Sequence, residues 1–195
     1  MTKASATFKA GRFKPGGAPA WRTAVLAASF LAALSGPLRA APLTAAVFPF
    51  ELDDTSLDGA MRGAQPAEQA RLQALDAQLR AALAASGRYT LVDIAPVAAK
   101  AAAGSLRSCA SCGPALAQQL GAQVEVNGWV QKVSNLILNI NLVVRVAAGG
   151  AGADAASGRV IAAGSADIRG NTDESWQRGL AWLLRHRILV AGQTP

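Results

Sequence analysis

Residues 132–145 read KVSNLILNINLVVR, the longest alternating run in the chain. Leu136, Leu138, Ile140, Leu142, Val144 and Val146 occupy every second position without a break. Ile137, Asn139, Asn141, Val143 and Arg145 stand between them. A period of two predicts a β-strand with one buried face and one partly wet face. On its N-terminal side, Val124 and Val126 start another strand, with Gly128 as the expected site of a bulge. On its C-terminal side, Ala147–Gly158 is small, rich in Gly and Ala, and reads as a hairpin loop. Arg159–Ile168 follows as the last strand, so three strands form a meander.

The pattern then changes to a helical one. Trp176, Leu180, Leu183, Leu184 and Ile188 repeat at spacings of three and four and give a final helix its core face. Asn171 is the expected N-cap, with Glu174 as its capping-box partner. Nearer the N-terminus, Leu43–Phe50 reads as a first strand in which Ala46, Phe48 and Phe50 share a face and Pro49 marks an edge or an end. Glu51–Gln65 is polar and reads as a loop. Pro66 opens a helix whose stripe is Leu72, Leu75, Leu79 and Leu83, closed by Gly87. Arg88–Ile94 is a short strand. An alanine-rich helix begins at Pro96 and fades near Gly104, and a short helix runs from Pro114 to Leu120. Taking the two short helices as one unit, the order is β-α-β-α-β-β-β-α. The fold class is α/β, of α+β character, with a single mixed sheet and helices packed on it.

The first forty residues bear on location. They hold six basic residues, no acid, and an apolar run, Thr23–Leu34, that ends at Gly36–Pro37. A basic start, a short apolar middle and small residues at Ala40–Ala41 describe a secretory signal. We therefore expect residues 1–41 to be a signal peptide and residues 42–195 to be one domain, periplasmic or secreted. The run is too short to span a bilayer comfortably, and no later run approaches that length. The formal net charge is +7. Without the leader, 13 basic and 12 acidic side chains remain, so no basic stripe argues for nucleic acid.

Three stretches together carry a resemblance: AVFPFELDDTS at 46–56, KVSNLILNINLVVR at 132–145 and DIRGNTDESWQRG at 167–179. They resemble a family of exported bacterial proteins of undefined function. The order of elements is similar to the amino-terminal domain of TolB and to the CsgG and LpoB envelope proteins. That resemblance implies an assembly, docking or regulatory part of the envelope rather than an enzyme. It brings no catalytic residues, and this chain has no lipidation cysteine near residue 40.

Cys109 and Cys112 are the two cysteines of the chain. In an oxidising compartment they form a local structural disulfide, a redox pair, or a reduced or metal-bound couple. No second pair completes a structural zinc site, and Gly113 stands where haem attachment needs histidine. Glu51, Asp53, Asp54 and Asp58 cluster after the first strand. From Asp54 the spacing begins like a calcium loop, but Gln65 occupies the twelfth position, so no metal is expected there. His186, the single histidine, lies between Arg185 and Arg187 near a helix C-terminus, where cations suit the dipole.

The candidate contact residues are Arg169, Asn171, Asp173 and Trp176, in a loop that also has a plain structural reading of turn, cap and packing. Asn139 and Asn141 lie on the wetter sheet face, as ordinary exposed positions or as a shallow groove. The resulting expectation is a domain without catalytic residues or cofactor that docks to another envelope or periplasmic protein. It would dock through the sheet edge next to the first strand or through Glu51–Gln65. Two other readings stand beside it: a thiol–disulfide redox protein using Cys109 and Cys112, and a small-ligand-binding subunit using Trp129, Trp176 or Trp182.

Overall fold

The computed structural model describes residues 11, 41–147 and 158–190. The leader, apart from Gly11 and Ala41, lies outside them, as do residues 148–157 of the glycine-rich loop.

The chain begins with β1 (Leu43–Val47) and β2 (Glu51–Asp54), then a short helix α1 (Leu57–Arg62) and the long helix α2 (Pro66–Ala85). β3 (Tyr89–Leu91) leads through a 3-10 turn into α3 (Ala98–Ala102) and α4 (Cys112–Gln119). The meander β4 (Val124–Lys132), β5 (Ile137–Val146) and β6 (Val160–Arg169) is followed by α5 (Asp173–Leu183) and a π-helical turn, Leu184–Ile188. The six strands form one open mixed sheet in the order β3-β1-β4-β5-β6, with β2 also beside β4. β1, β2 and β3 enter parallel pairings, while β4, β5 and β6 are antiparallel.

Both faces carry apolar packing. The larger core lies under α2 and α5. Leu138, Ile140, Leu142 and Val144 of β5 meet the α2 stripe and Trp176, Leu180 and Leu183 of α5 there. The alternation over 138–144 and the two helical stripes thus face one another, as their periods require, while Leu136 lies before β5 and is exposed. A smaller cluster on the opposite face joins Ala46 and Phe48 to Val97, Leu106, Leu116 and Ala117, under α3 and α4.

The first strand is where the expectation departs most. β1 pairs Val47 with Val126, whereas β2 pairs Glu51 with Trp129. Three residues on one side therefore face two on the other. The extra residue falls at exposed Pro49, which has no N–H to lose from the ladder. A one-residue slip reverses faces. Phe48 stays with Ala46 in the smaller cluster, but Phe50 crosses into the main core, so the three do not share a face. Side chains of α2 grip the break. Asp76 accepts from the Phe50 N–H at 2.8 Å, and Arg80 donates to the Val47 carbonyl at 2.5 Å. Burial raises the Asp76 carboxyl above its ordinary range, although the Phe50 N–H and Arg80 oppose the shift.

Other expectations change in smaller ways. Glu51–Gln65 is not a plain loop, because β2 and α1 form within it. The helix expected from Pro114 starts two residues earlier, at Cys112. β4 runs through Gly128 without a bulge; the register shift lies between Val144 and Arg145. Asn171 does not cap the last helix. Thr172 does, with Ser175 as its reciprocal partner, and Glu174 pairs instead with Arg178. The first strand is itself interior, with β3 at the sheet edge next to it; among the described residues β2, β3 and β6 each pair on one side only.

Candidate interaction surface

Lys132 ends β4 on the core-facing parity of Val126 and Val130, and it is fully buried. A buried ammonium is tolerated only when paired. Its Nζ lies 2.7 Å from Glu68 of α2, 3.0 Å from Asp54, its neighbour in register, and 3.7 Å from Asp58 of α1. Burial would lower the Lys132 pKa, but Glu68 and Asp54 hold it above the ordinary lysine value. Burial would likewise raise the Asp54 carboxyl. The hydrogen bonds from Ser56, with Lys132, hold it below the usual range.

The network extends through Glu68 to the 167–179 stretch. Asn171 Nδ2 donates to Glu68 at 2.7 Å and to the Asn135 side chain at 3.1 Å. Asn171 Oδ1 accepts from Arg71 at 3.1 Å and from the Trp176 indole at 3.0 Å. Arg71 in turn bonds Asp173 at 2.7 Å. Asn171, Asp173 and Trp176 are thus brought together, but their polar atoms join internal partners. They form a clasp tying α2 and α5 to the turn after β4. Gly170, at φ 89°, makes the bend and donates to the Leu136 carbonyl at 3.2 Å. Arg169 ends β6 opposite Ile137.

The clasp supports an apolar end. Leu57 and Met61 lie one turn apart on α1, 76% and 77% exposed, and α1 has no buried residue of its own. Ser56 caps this helix through the Gly59 N–H. A Cβ at Gly59 would overlap the Asp54 carboxylate, so α1 sits tightly on the end of β2. The Thr55 N–H donates to the Lys132 carbonyl, which places α1 next to the β4–β5 turn. That turn presents Val133, Leu136 and Ile137, which are 52%, 72% and 48% exposed. Five large apolar side chains therefore stand at the end of the sheet where β2 and β4 finish.

The remaining candidates lie elsewhere. Asn139 donates to Asp167 at 2.6 Å and accepts from Ser165 at 2.7 Å across β5 and β6. Asn141 stands between Trp129 and Ser165 in register on the same face, turned away from the main core. The acidic residues are divided. Asp54 and Asp58 meet Lys132, while Glu51 accepts from the Leu106 and Arg107 N–H groups and Asp53 pairs with Arg107 at 3.2 Å. Cys109 and Cys112 are joined in a disulfide at the mouth of α4, after a loop rather than a strand. Gly113, next in the chain, lies against the carboxylate of buried Glu125. Burial pushes Glu125 up to about 7, although Arg145, 3.3 Å away, opposes this. His186 is exposed, its ring stacked on Trp182 and its Nδ1 2.8 Å from the Trp182 carbonyl.

Sequence reasoning missed Lys132, Glu68, Arg71 and the apolar five. A signal existed for two groups of them. Lys132 falls at a core-facing position of an alternating strand, and Leu57 and Met61 are four apart inside a polar stretch.

The chain belongs to the DUF3280 family, described as a protein of unknown function (DUF2380), whose match covers residues 43–188. No curated protein matches it. Among solved structures it is similar to the LpoB C-terminal domain from Salmonella enterica, with 18% identity, 71% of this chain and 91% of that chain covered, and a TM-score of 0.44. The solution structure of Escherichia coli LpoB has 14% identity, coverage of 88% and 81%, and a TM-score of 0.45. A PelC dodecamer from Paraburkholderia phytofirmans has 13% identity, coverage of 77% and 92%, and a TM-score of 0.39.

Proposed function

We propose that this member of the DUF3280 family is a non-enzymatic docking domain of the bacterial cell envelope, and that it binds a partner protein through the apolar end of its sheet. The observation that carries the reading is the exposure of Leu57 and Met61 on α1 and of Val133, Leu136 and Ile137 on the neighbouring β4–β5 turn. Scattered surface leucines need no explanation, but several large apolar side chains gathered at one end mark an interaction site. The partner would offer its own apolar surface to them. The buried clasp around Lys132 supports the reading, because it holds the backbone beneath these side chains in one geometry before binding. Location in the envelope rests on the leader read in residues 1–40, and an exported Cys109–Cys112 bridge fits such a compartment.

The test is affinity capture from the periplasm of the native host, with wild-type protein and with Met61→Asp/Leu136→Asp. Both side chains are exposed, so the variant should fold with an unchanged melting temperature. The expected result is one envelope protein recovered in stoichiometric yield with the wild type and lost with the variant. Equal recovery by both would remove the apolar end from consideration. Mixed disulfides with many clients would favour the redox reading.

A further inference from the structure

We propose that the outer edge of β6, overhung by α5, takes up an extended acidic segment of a partner protein as an added strand. β6 ends the sheet. It pairs with β5 on one side, with Ile161 skipped at the register shift, and no strand among the described residues pairs on the other. Such an edge presents a row of backbone donors and acceptors to an incoming chain.

The chemistry of the incoming chain is set by what flanks the edge. α5 approaches the sheet closely at Gly179, where a Cβ would run into Ile168 and Ile140. Arg178, Trp182 and Arg185 are thereby carried alongside Asp167–Arg169, and with Arg169 they line one groove. Three guanidiniums face one lining carboxylate, Asp167, which already accepts from Asn139. Arg178 also pairs with Glu174, but both side chains are largely exposed, and such a surface pair contributes little and exchanges readily. Trp182 is 40% exposed, and its ring, stacked on His186 at 4.8 Å, offers a flat apolar platform.

Side chains of an added strand alternate between faces. Those on the side of Ala166 and Ile168 would meet Arg178 and Arg185 of α5, while Asp167 and Arg169 alternate to the other face, so the segment that fits carries acids at every second position. The first forty residues of this chain hold six basic side chains and no acid, the wrong sign for this groove, so the charge selects a partner. The groove meets the apolar end at Arg169, opposite Ile137, so Leu136→Asp is not a neutral control; Met61→Asp, on α1, should leave strand addition unaffected.

The probe is a fluorescent synthetic peptide of about ten residues, the length of β6, with Glu and Val in alternation. It is titrated against the full chain and read by anisotropy. Saturable binding is expected that weakens with added salt. Arg178→Glu/Arg185→Glu, two exposed positions, should weaken it by at least about tenfold without changing the melting temperature, as loss of charge complementarity implies. N-methylation of alternate peptide amides should abolish binding in one of the two registers, which separates strand addition from simple charge attraction. The Lys-for-Glu peptide should not bind. The proposal is overturned by absence of saturable binding, by indifference to N-methylation in both registers, or by unchanged affinity in the double variant. Crosslinking of β6 to β6 of a second copy would overturn it too, since the occupant would then be this chain itself.

Discussion

The Phe50 ring lies directly over Gly128, in the space a β-carbon at that position would fill. This contact lets the first strand change faces. The extra residue at Pro49 swings Phe50 into the main core, and the bare backbone of β4 receives it.

Gly128→Ala should therefore destabilise the fold by about 1–3 kcal/mol, the usual cost of overpacking a filled core. Phe50→Ala should cost about 3–5 kcal/mol through the cavity it leaves. The two effects should not add, because the smaller side chain makes room for the new methyl. Urea unfolding of both single variants and the double variant measures this. Additive losses would show that ring and glycine are energetically separate.

Lys132→Met should be among the most damaging single changes. It leaves Glu68 and Asp54 without their cation in a buried site, a loss of about 3–5 kcal/mol. Lys132→Met/Glu68→Gln should recover part of that loss. Asn171→Ala should cost about 1–3 kcal/mol, because the Trp176 indole and Glu68 each lose a partner. Hydrogen exchange in the Lys132 variant should rise first at 133–137, the turn that presents the apolar end. Unchanged exchange there would show that the clasp does not hold that turn.

Glu125 ties stability to pH. Its carboxyl titrates at about 7 in the folded protein and near 4.5 when unfolded. Between those values the folded state holds a proton that the unfolded state has released. The contribution is therefore complete below about pH 4.5 and is lost as pH rises through 7, with an amplitude on the order of 3 kcal/mol. Asp54, held low, acts in the opposite sense and only in acid. Subtracting the stability profile of Glu125→Gln from that of the wild type isolates the Glu125 part. A difference that is flat between pH 5 and 8 would contradict this account.

Cys109→Ser/Cys112→Ser should remain folded. The bridge closes a loop of four residues, so the chain entropy it removes from the unfolded state is worth about 2 kcal/mol or less. Circular dichroism and a melting curve of the purified double variant test this. A variant that fails to fold would give the bridge a larger role, as the clamp over Gly113 and Glu125.

Hydrophobic periodicity is enough to read the core elements. The alternation from Leu138 to Val144, the leucine stripe of α2 and the face Trp176–Ile188 depend on local geometry alone, and all three pack together as that geometry requires; Leu136, on the same period, falls outside β5 and is exposed. Gly87 and Pro66 bound α2 for equally local reasons, a positive φ of 65° at one end and a fixed first-turn φ at the other. The cap of α5 lies one residue beyond Asn171. That residue is a good cap by type, but Glu68, Arg71 and Trp176, about a hundred residues away or one turn on, have a stronger claim on it.

Residue order is sufficient for those elements whose hydrophobic period is uninterrupted, because period is a property of neighbours along the chain. Tertiary structure alone decided three things: the crossing of Phe50 to the other face, the pairing of β2 with the far half of β4, and the burial of Lys132 among carboxylates from three separate segments. Each depends on which distant groups arrive at the same place, and one chain's residue order does not state that.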